Sequence, residues 1–174
     1  MNLFGCLQKN MLIYRVFIPV DKMEKLKEYY IITSEANGIG SKFAIIYSFF
    51  QIPVRYFYKK FGIKYAHKFV CNVNLKNEDG AYYCGKERSY ARLCSSFFEK
   101  DMKKYFQIQN GTFIDIGANC GKYTIALGNK LKETGRVISI EPETKNFNSL
   151  QINIKLNNLN NVSVRQLVIQ KMVR

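Results

Sequence analysis

From Gly111 onward short apolar runs alternate with amphipathic ones, and this alternation limits the possible folds more than any other feature of the chain. "TFIDIG" reads as a strand ending in an acid. "GKYTIALGNKLKE" reads as a helix with Ile125 and Leu131 on or near one face, stopped by Gly135. "RVISIE" reads as a second strand. "TKNFNSLQINIKLNN" reads as a second helix, with Phe147, Leu150 and Ile154 at spacings of three and four, and "VSVRQLVI" as a third strand. Strands that alternate with helices in this way form a parallel sheet with right-handed crossovers. The fold class is therefore α/β, the first half of a doubly wound sheet.

In such sheets ligands sit outside the carboxyl ends of the strands. The turn after the first of these strands, "DIGANCGKYT", is the place to look. Gly117 and Gly121 let the backbone turn tightly and approach a ligand, and the following helix N-terminus favours negative charge. A purely structural turn would use the same glycines. Asp115 sharpens the reading, because a carboxylate beside a dinucleotide pyrophosphate would repel it. The dehydrogenase fingerprint G-x-G-x-x-G also lacks its middle glycine here, where the sequence is G-A-N-C-G. A ligand carrying an ammonium and a sulfonium, such as S-adenosylmethionine, would be attracted instead. The plainer role for Asp115 is a helix cap.

Glu141 ends the second strand, 20 residues after Gly121. An acid there can accept hydrogen bonds from both ribose hydroxyls of an adenosine. Its plainer role is a solvated strand end before the turn residue Pro142. Acid, glycine loop and second acid on successive strand ends favour the binding role.

"FIDIGANCGKYT", then "VISIEPE", then "NNLNNVSV" resembles the FkbM-type family of class I S-adenosylmethionine-dependent methyltransferases. The first motif of that family is similar to D-I/V-G-A-N-x-G-x-Y/F-T/S, which Asp115, Gly117, Ala118, Asn119, Gly121, Tyr123 and Thr124 match. Its second resembles V-x-x-x-E-P, met by Val137, Glu141 and Pro142. The resemblance covers 111–169; "EDGAYYCG" to "SSFFEKDMKKYF" is similar to the lead-in of the family, and residues 1–60 show none. It implies an incomplete Rossmann-like class I methyltransferase fold and methyl transfer to an oxygen of a sugar or natural product. It implies S-adenosylmethionine as cofactor. Asp115 would serve its methionine end, Gly117, Ala118, Asn119 and Gly121 would shape the loop, and Glu141 would hold the ribose. The acceptor would be a small molecule or glycan. No catalytic base is assigned; His67, the only histidine, lies in a strand before the core. A seven-stranded sheet would continue past Arg174, so the expectation is a truncated form with doubtful activity alone. Its first strand would have an open apolar edge, a route to oligomerisation.

Upstream, 1–66 reads as a helical, aromatic and basic segment and 67–110 as a hairpin and helix leading into 111–174. Asp21 with Glu24 looks like a capping box for a helix through about Tyr30. "SEANGIGS" is a loop, with Ser41 capping an aromatic helix. "HKFVCNVNL", "KNEDG" and "AYYCG" form a hairpin. Ser96 and Glu99 open a helix whose Phe98, Met102 and Tyr105 face a core. "FAIIYSFFQIPV" is too short to cross a bilayer, which takes roughly 20 residues. With its basic neighbours, residues 43–60 either touch a membrane surface peripherally or pack inside. Pro53 breaks the pattern and favours packing.

The formal net charge of +14 is diffuse, without a recognisable RNA-binding motif, so no nucleic-acid partner is expected. A basic membrane-surface or RNA-binding module and an NAD-binding oxidoreductase half-domain are the alternatives weighed. Five cysteines form no C-x-x-C pair and too few ligands converge for zinc, so no metal site and a reducing cytoplasm are expected. The start, "MNLFGCLQKN", does not read as a signal peptide.

Overall fold

The alternation after Gly111 is realised as a parallel sheet, and the hairpin before it as a separate antiparallel pair. The computed structural model describes residues 20–63 and 68–167. Helices α1 (Val20–Glu35), α2 (Ile39–Phe50) and α3 (Ile52–Lys60) come first. The hairpin β1 (Lys68–Asn77) and β2 (Gly80–Glu87) follows, then α4 (Arg88–Cys94) and a 3-10 helix (Lys100–Tyr105). The α/β unit is β3 (Gly111–Ile116), α5 (Lys122–Lys130), β4 (Gly135–Ile140), α6 (Thr144–Leu156) and β5 (Val162–Arg165). Its strands lie in the order β3-β4-β5, all parallel. This is an α/β fold with the first three strands and two crossovers of a Rossmann-like sheet.

The hairpin buries the period-two positions Phe69, Val73 and Leu75 of β1 and Tyr82 and Cys84 of β2. Ala44 and Ile45 of α2 join them in one apolar cluster that also takes in Cys120, Ile125 and Leu159. The largest core thus runs through all three segments read from the sequence. A second cluster, Leu127, Leu131 and Val137, lies between α5 and the parallel sheet. The two faces of β3 differ. Asp115 faces inward at 8% exposure, while Ile114 and Ile116 are 55% and 65% exposed.

Several local expectations are corrected. α1 runs on to Glu35, and its backbone is already helical at Val20, so Asp21 lies within the first turn instead of capping it. Gly38, at φ 88°, is the N-cap of α2; Ser41 sits inside the helix and its Oγ accepts from Asn74 N at 3.0 Å. α5 ends at Lys130, five residues before Gly135, which opens β4. The helix expected from Ser96 is a 3-10 helix from Lys100, entered through Glu99 at φ 50°. Met102 and Tyr105 are 38% and 66% exposed, so they do not face a core. α4 was not foreseen; it buries Tyr90, Ala91 and Cys94. Pro53 does separate two helices, at the start of α3. His67 and the end of the third predicted strand, from Val168, lie outside the described residues.

Candidate functional site

The loop between β3 and α5 owes its shape to two glycines and one asparagine with positive φ: Gly117 (77°), Asn119 (52°) and Gly121 (96°). Gly121 is the N-cap of α5, and a Cβ there would meet Leu150 Cδ1 at 2.5 Å. A Cβ at Gly117 would meet nothing within 4 Å, so the backbone on that side faces open space. Gly121 is demanded by conformation and packing together, Gly117 by conformation alone.

Every backbone N–H from Gly117 to Gly121 is used inside the protein. Gly117 N and Ala118 N both donate to Ile140 O, at 2.9 and 3.1 Å. Asn119 N donates to Glu141 Oε2 at 2.7 Å and Cys120 N to Asn119 Oδ1 at 2.7 Å. Gly121 N donates to Ala118 O at 2.8 Å. A loop that cradles phosphate turns such groups toward its ligand. This one turns three of them back onto the end of β4 and the other two onto the loop itself.

Both acids are buried. Glu141 is 4% exposed, which rules out a solvated strand end. Besides Asn119 N, its carboxylate accepts from Glu143 N at 3.1 Å and Asn146 Nδ2 at 3.3 Å. An ionised carboxylate has about four acceptor sites, so these three bonds leave room for one more. Asp115 stands opposite Ser139 in the sheet register. Its Oδ2 accepts from Thr124 Oγ1 at 2.6 Å, and Thr124 Oγ1 meets Ser139 Oγ at 2.7 Å. Burial pushes the Asp115 carboxyl above the usual carboxylate range. The Thr124 hydroxyl and backbone N–H oppose that shift, and the charge of Glu141 reinforces it. Asp115 is not the N-cap, but it holds the third residue of α5 from the neighbouring strand.

The structure thus brings Asp115, Gly117, Ala118, Asn119, Gly121 and Glu141 together at the carboxyl ends of β3 and β4. Three contributors escaped the sequence reading. Ser139 carries a signal, being the one hydroxyl in an apolar strand. Asn146 links Glu141 to Tyr90, whose hydroxyl donates to Asn146 Oδ1. Lys122, 9% exposed, donates from Nζ to Ser95 O at 3.1 Å and to Phe98 O, tying α5 to the segment after α4. Burial holds its ammonium below the usual lysine range. Cys120 lies under the loop with its Sγ 3.3 Å from Cys94 Sγ, and both are free thiols. Among the described residues no group of three or more His, Cys, Asp or Glu side chains could hold a metal ion.

No family model matches the chain, and no curated protein matches it. Solved structures do resemble parts of it. One is a SAM-dependent methyltransferase from Aquifex aeolicus, 26% identical over 40% of this chain and 37% of that one, with a TM-score of 0.36. Another is TYW2 of M. jannaschii in complex with AdoMet, 23% identical over 59% of this chain and 45% of that one, at 0.43. A third is coclaurine N-methyltransferase bound to N-methylheliamine and SAH, 14% identical over 87% and 39%, at 0.34. The chain spans less than half the length of each.

Proposed function

We propose that the chain is a cofactor-binding portion of an S-adenosylmethionine-dependent methyltransferase. One observation carries this reading. The loop at the carboxyl end of β3 has its backbone N–H groups from Gly117 to Gly121 turned inward, between two buried carboxylates. Such a site repels a pyrophosphate and attracts a cation. It disfavours the NAD-binding alternative for the same reason.

The residues fit the cofactor. Asp115 lies where the cationic methionine end would profit from its charge, and the open backbone at Gly117 allows close approach. Glu141, with an acceptor site to spare, suits a ribose hydroxyl. Ala118, Asn119 and Gly121 shape the loop around these groups. S-adenosylmethionine supplies an electrophilic sulfonium methyl, and the protein's part is to hold it in position. The finer reading rests on the motif resemblance: an FkbM-type enzyme acting in the reducing cytoplasm on a hydroxyl of a sugar or natural product.

The test is a paired titration of the chain and its Asp115→Asn variant with S-adenosylmethionine and with NAD. The variant keeps the shape and removes the charge. A loss of about 1–3 kcal/mol in S-adenosylmethionine affinity, part of the roughly 3–4 kcal/mol that one close charge pair gives before desolvation, is the expected result. Unchanged S-adenosylmethionine binding, or a parent chain that binds NAD more tightly than S-adenosylmethionine, sinks the reading.

A further inference from the structure

Between α1 and the α2–α3 pair lies a cleft of about 690 Å³ that the site above does not use. Tyr29, Phe49 and Ile52 give it apolar walls, and Lys25, Arg55 and Arg88 give it charge. No carboxylate lines it. The two guanidiniums flank one ring: Arg55 Nη1 donates to the Tyr29 hydroxyl at 3.3 Å, and Arg88 stacks over the Tyr29 ring at 4.8 Å. Arg55 Nε is buried without a hydrogen-bond partner. The nearest buried acid, Glu28, is already paired with Arg92 at 3.1 Å. Burial, with repulsion from Arg55 and Arg92, pulls Arg88 below the usual arginine range, against the attraction of Tyr29 and Glu28. Two like charges around an orphaned N–H call for an anion.

The surface beside the cleft says what kind of anion. α3 buries no residue, and Ile52, Val54, Tyr56 and Phe57 are exposed along it. On α2, Phe43 and Phe50 are 59% and 70% exposed. From Ala36 to Asn77 the sequence has seven Lys and Arg and no Asp or Glu. Exposed aromatic and aliphatic side chains with cations among them suit the interface of an anionic bilayer. The aliphatic members distinguish this face from a nucleic-acid platform, which stacks bases on flat rings. Among the described residues no helix is long and apolar enough to cross a membrane.

We propose that the α1–α3 cleft takes the headgroup of an anionic phospholipid, with the exposed side chains of α2 and α3 entering the bilayer interface. The chain is thereby held at a membrane surface, independently of what the loop after β3 binds.

Co-sedimentation with phosphatidylcholine vesicles, with and without phosphatidylglycerol, tests this on the full 174-residue chain. Binding to the phosphatidylglycerol vesicles is expected, weakened by salt. Arg55→Gln with Arg88→Gln should reduce it by about fivefold per cation removed. Lys59→Glu with Lys60→Glu, both on exposed positions, should reduce it at least as much with an unchanged melting temperature, so a misfolded arginine variant leaves the test intact. Phe57→Ser should weaken binding to the same vesicles without removing the preference for phosphatidylglycerol. The proposal fails if both vesicle types bind equally or neither binds. It also fails if glycerol phosphate saturates the cleft while neither vesicle type binds, which would make the ligand a soluble phosphate ester. Binding to single-stranded RNA without vesicle binding, or a dimer broken by Phe57→Ser in the absence of lipid, would assign the face to those partners instead.

Discussion

Glu141 does two jobs that one substitution can separate. Its carboxylate satisfies Asn119 N, Glu143 N and Asn146 Nδ2, so Glu141→Ala leaves three part-buried donors without this partner. Each such group costs about 1–3 kcal/mol, and a fall of several degrees in melting temperature is the expected outcome by thermal denaturation. If Glu141 also holds a ribose, the folded variant should lose a further 1.5–3 kcal/mol, roughly the strength of a hydrogen bond to a charged group, in S-adenosylmethionine affinity by calorimetry. A lower melting temperature with unchanged affinity would leave Glu141 as a brace for the loop only. Asp115 predicts the opposite stability effect. Its carboxyl is raised in the folded state, so the stability it contributes is full below the ordinary aspartate pKa and is lost as pH rises through the elevated value. Asp115→Asn still accepts from Thr124 and escapes that loss. Its melting temperature relative to the parent should therefore be equal or higher at neutral pH, and the gain should vanish in acid. A variant less stable than the parent at neutral pH would contradict the assigned balance of burial and hydrogen bonding.

At the scale of elements, α6 is a polar clamp as well as a crossover. Asn153 is fully buried; its Oδ1 accepts from Tyr83 N at 2.6 Å and its Nδ2 donates to Cys120 O at 2.8 Å. One turn later Asn157 bonds both backbone groups of Ala81, at 2.8 and 2.6 Å. One helix therefore pairs the edge of β2 and at the same time supports the loop after β3. Asn153→Ala strands one buried and one part-buried backbone group, for an expected loss of about 2–4 kcal/mol, and should speed amide exchange at Tyr83 before the rest of β2. Unchanged protection at Tyr83 would show that the clamp is not what holds the hairpin. In the sequence the segment reads as a helix from its apolar positions Phe147, Leu150 and Ile154, and nothing in that pattern marks these asparagines. Periodicity reveals which residues face inward, but a buried amide is recognised by its partners, here some seventy residues away.

At the scale of the molecule, the parallel sheet has one face packed and one largely bare. Among the described residues β3 pairs only with β4, and Ile114 and Ile116 stand in solvent beside that free edge. An apolar strand with an unpaired side recruits other strands. Self-association that grows with concentration is the expected behaviour by light scattering, and Ile114→Lys with Ile116→Lys should reduce it. A concentration-independent monomer with strongly protected amides along 112–116 would contradict this.

The fold class, the order of strands and helices from Gly111 and the position of the glycine loop were determined by the sequence alone. Each depends on local periodicity and on residues with special backbone freedom, which act over a few positions of chain. The placing of Asp115 and Glu141 on successive strand ends followed from the same local reading. What their carboxylates hold did not, because Thr124, Ser139, Asn119 and Asn146 reach them only after β3, β4 and the two crossover helices have packed. The length of α1, the presence of α4 and the exposure of Met102 and Tyr105 were likewise decided by tertiary contacts. A short amphipathic segment gains too little from its own hydrogen bonds to choose its boundaries, and the surface it packs against chooses them instead.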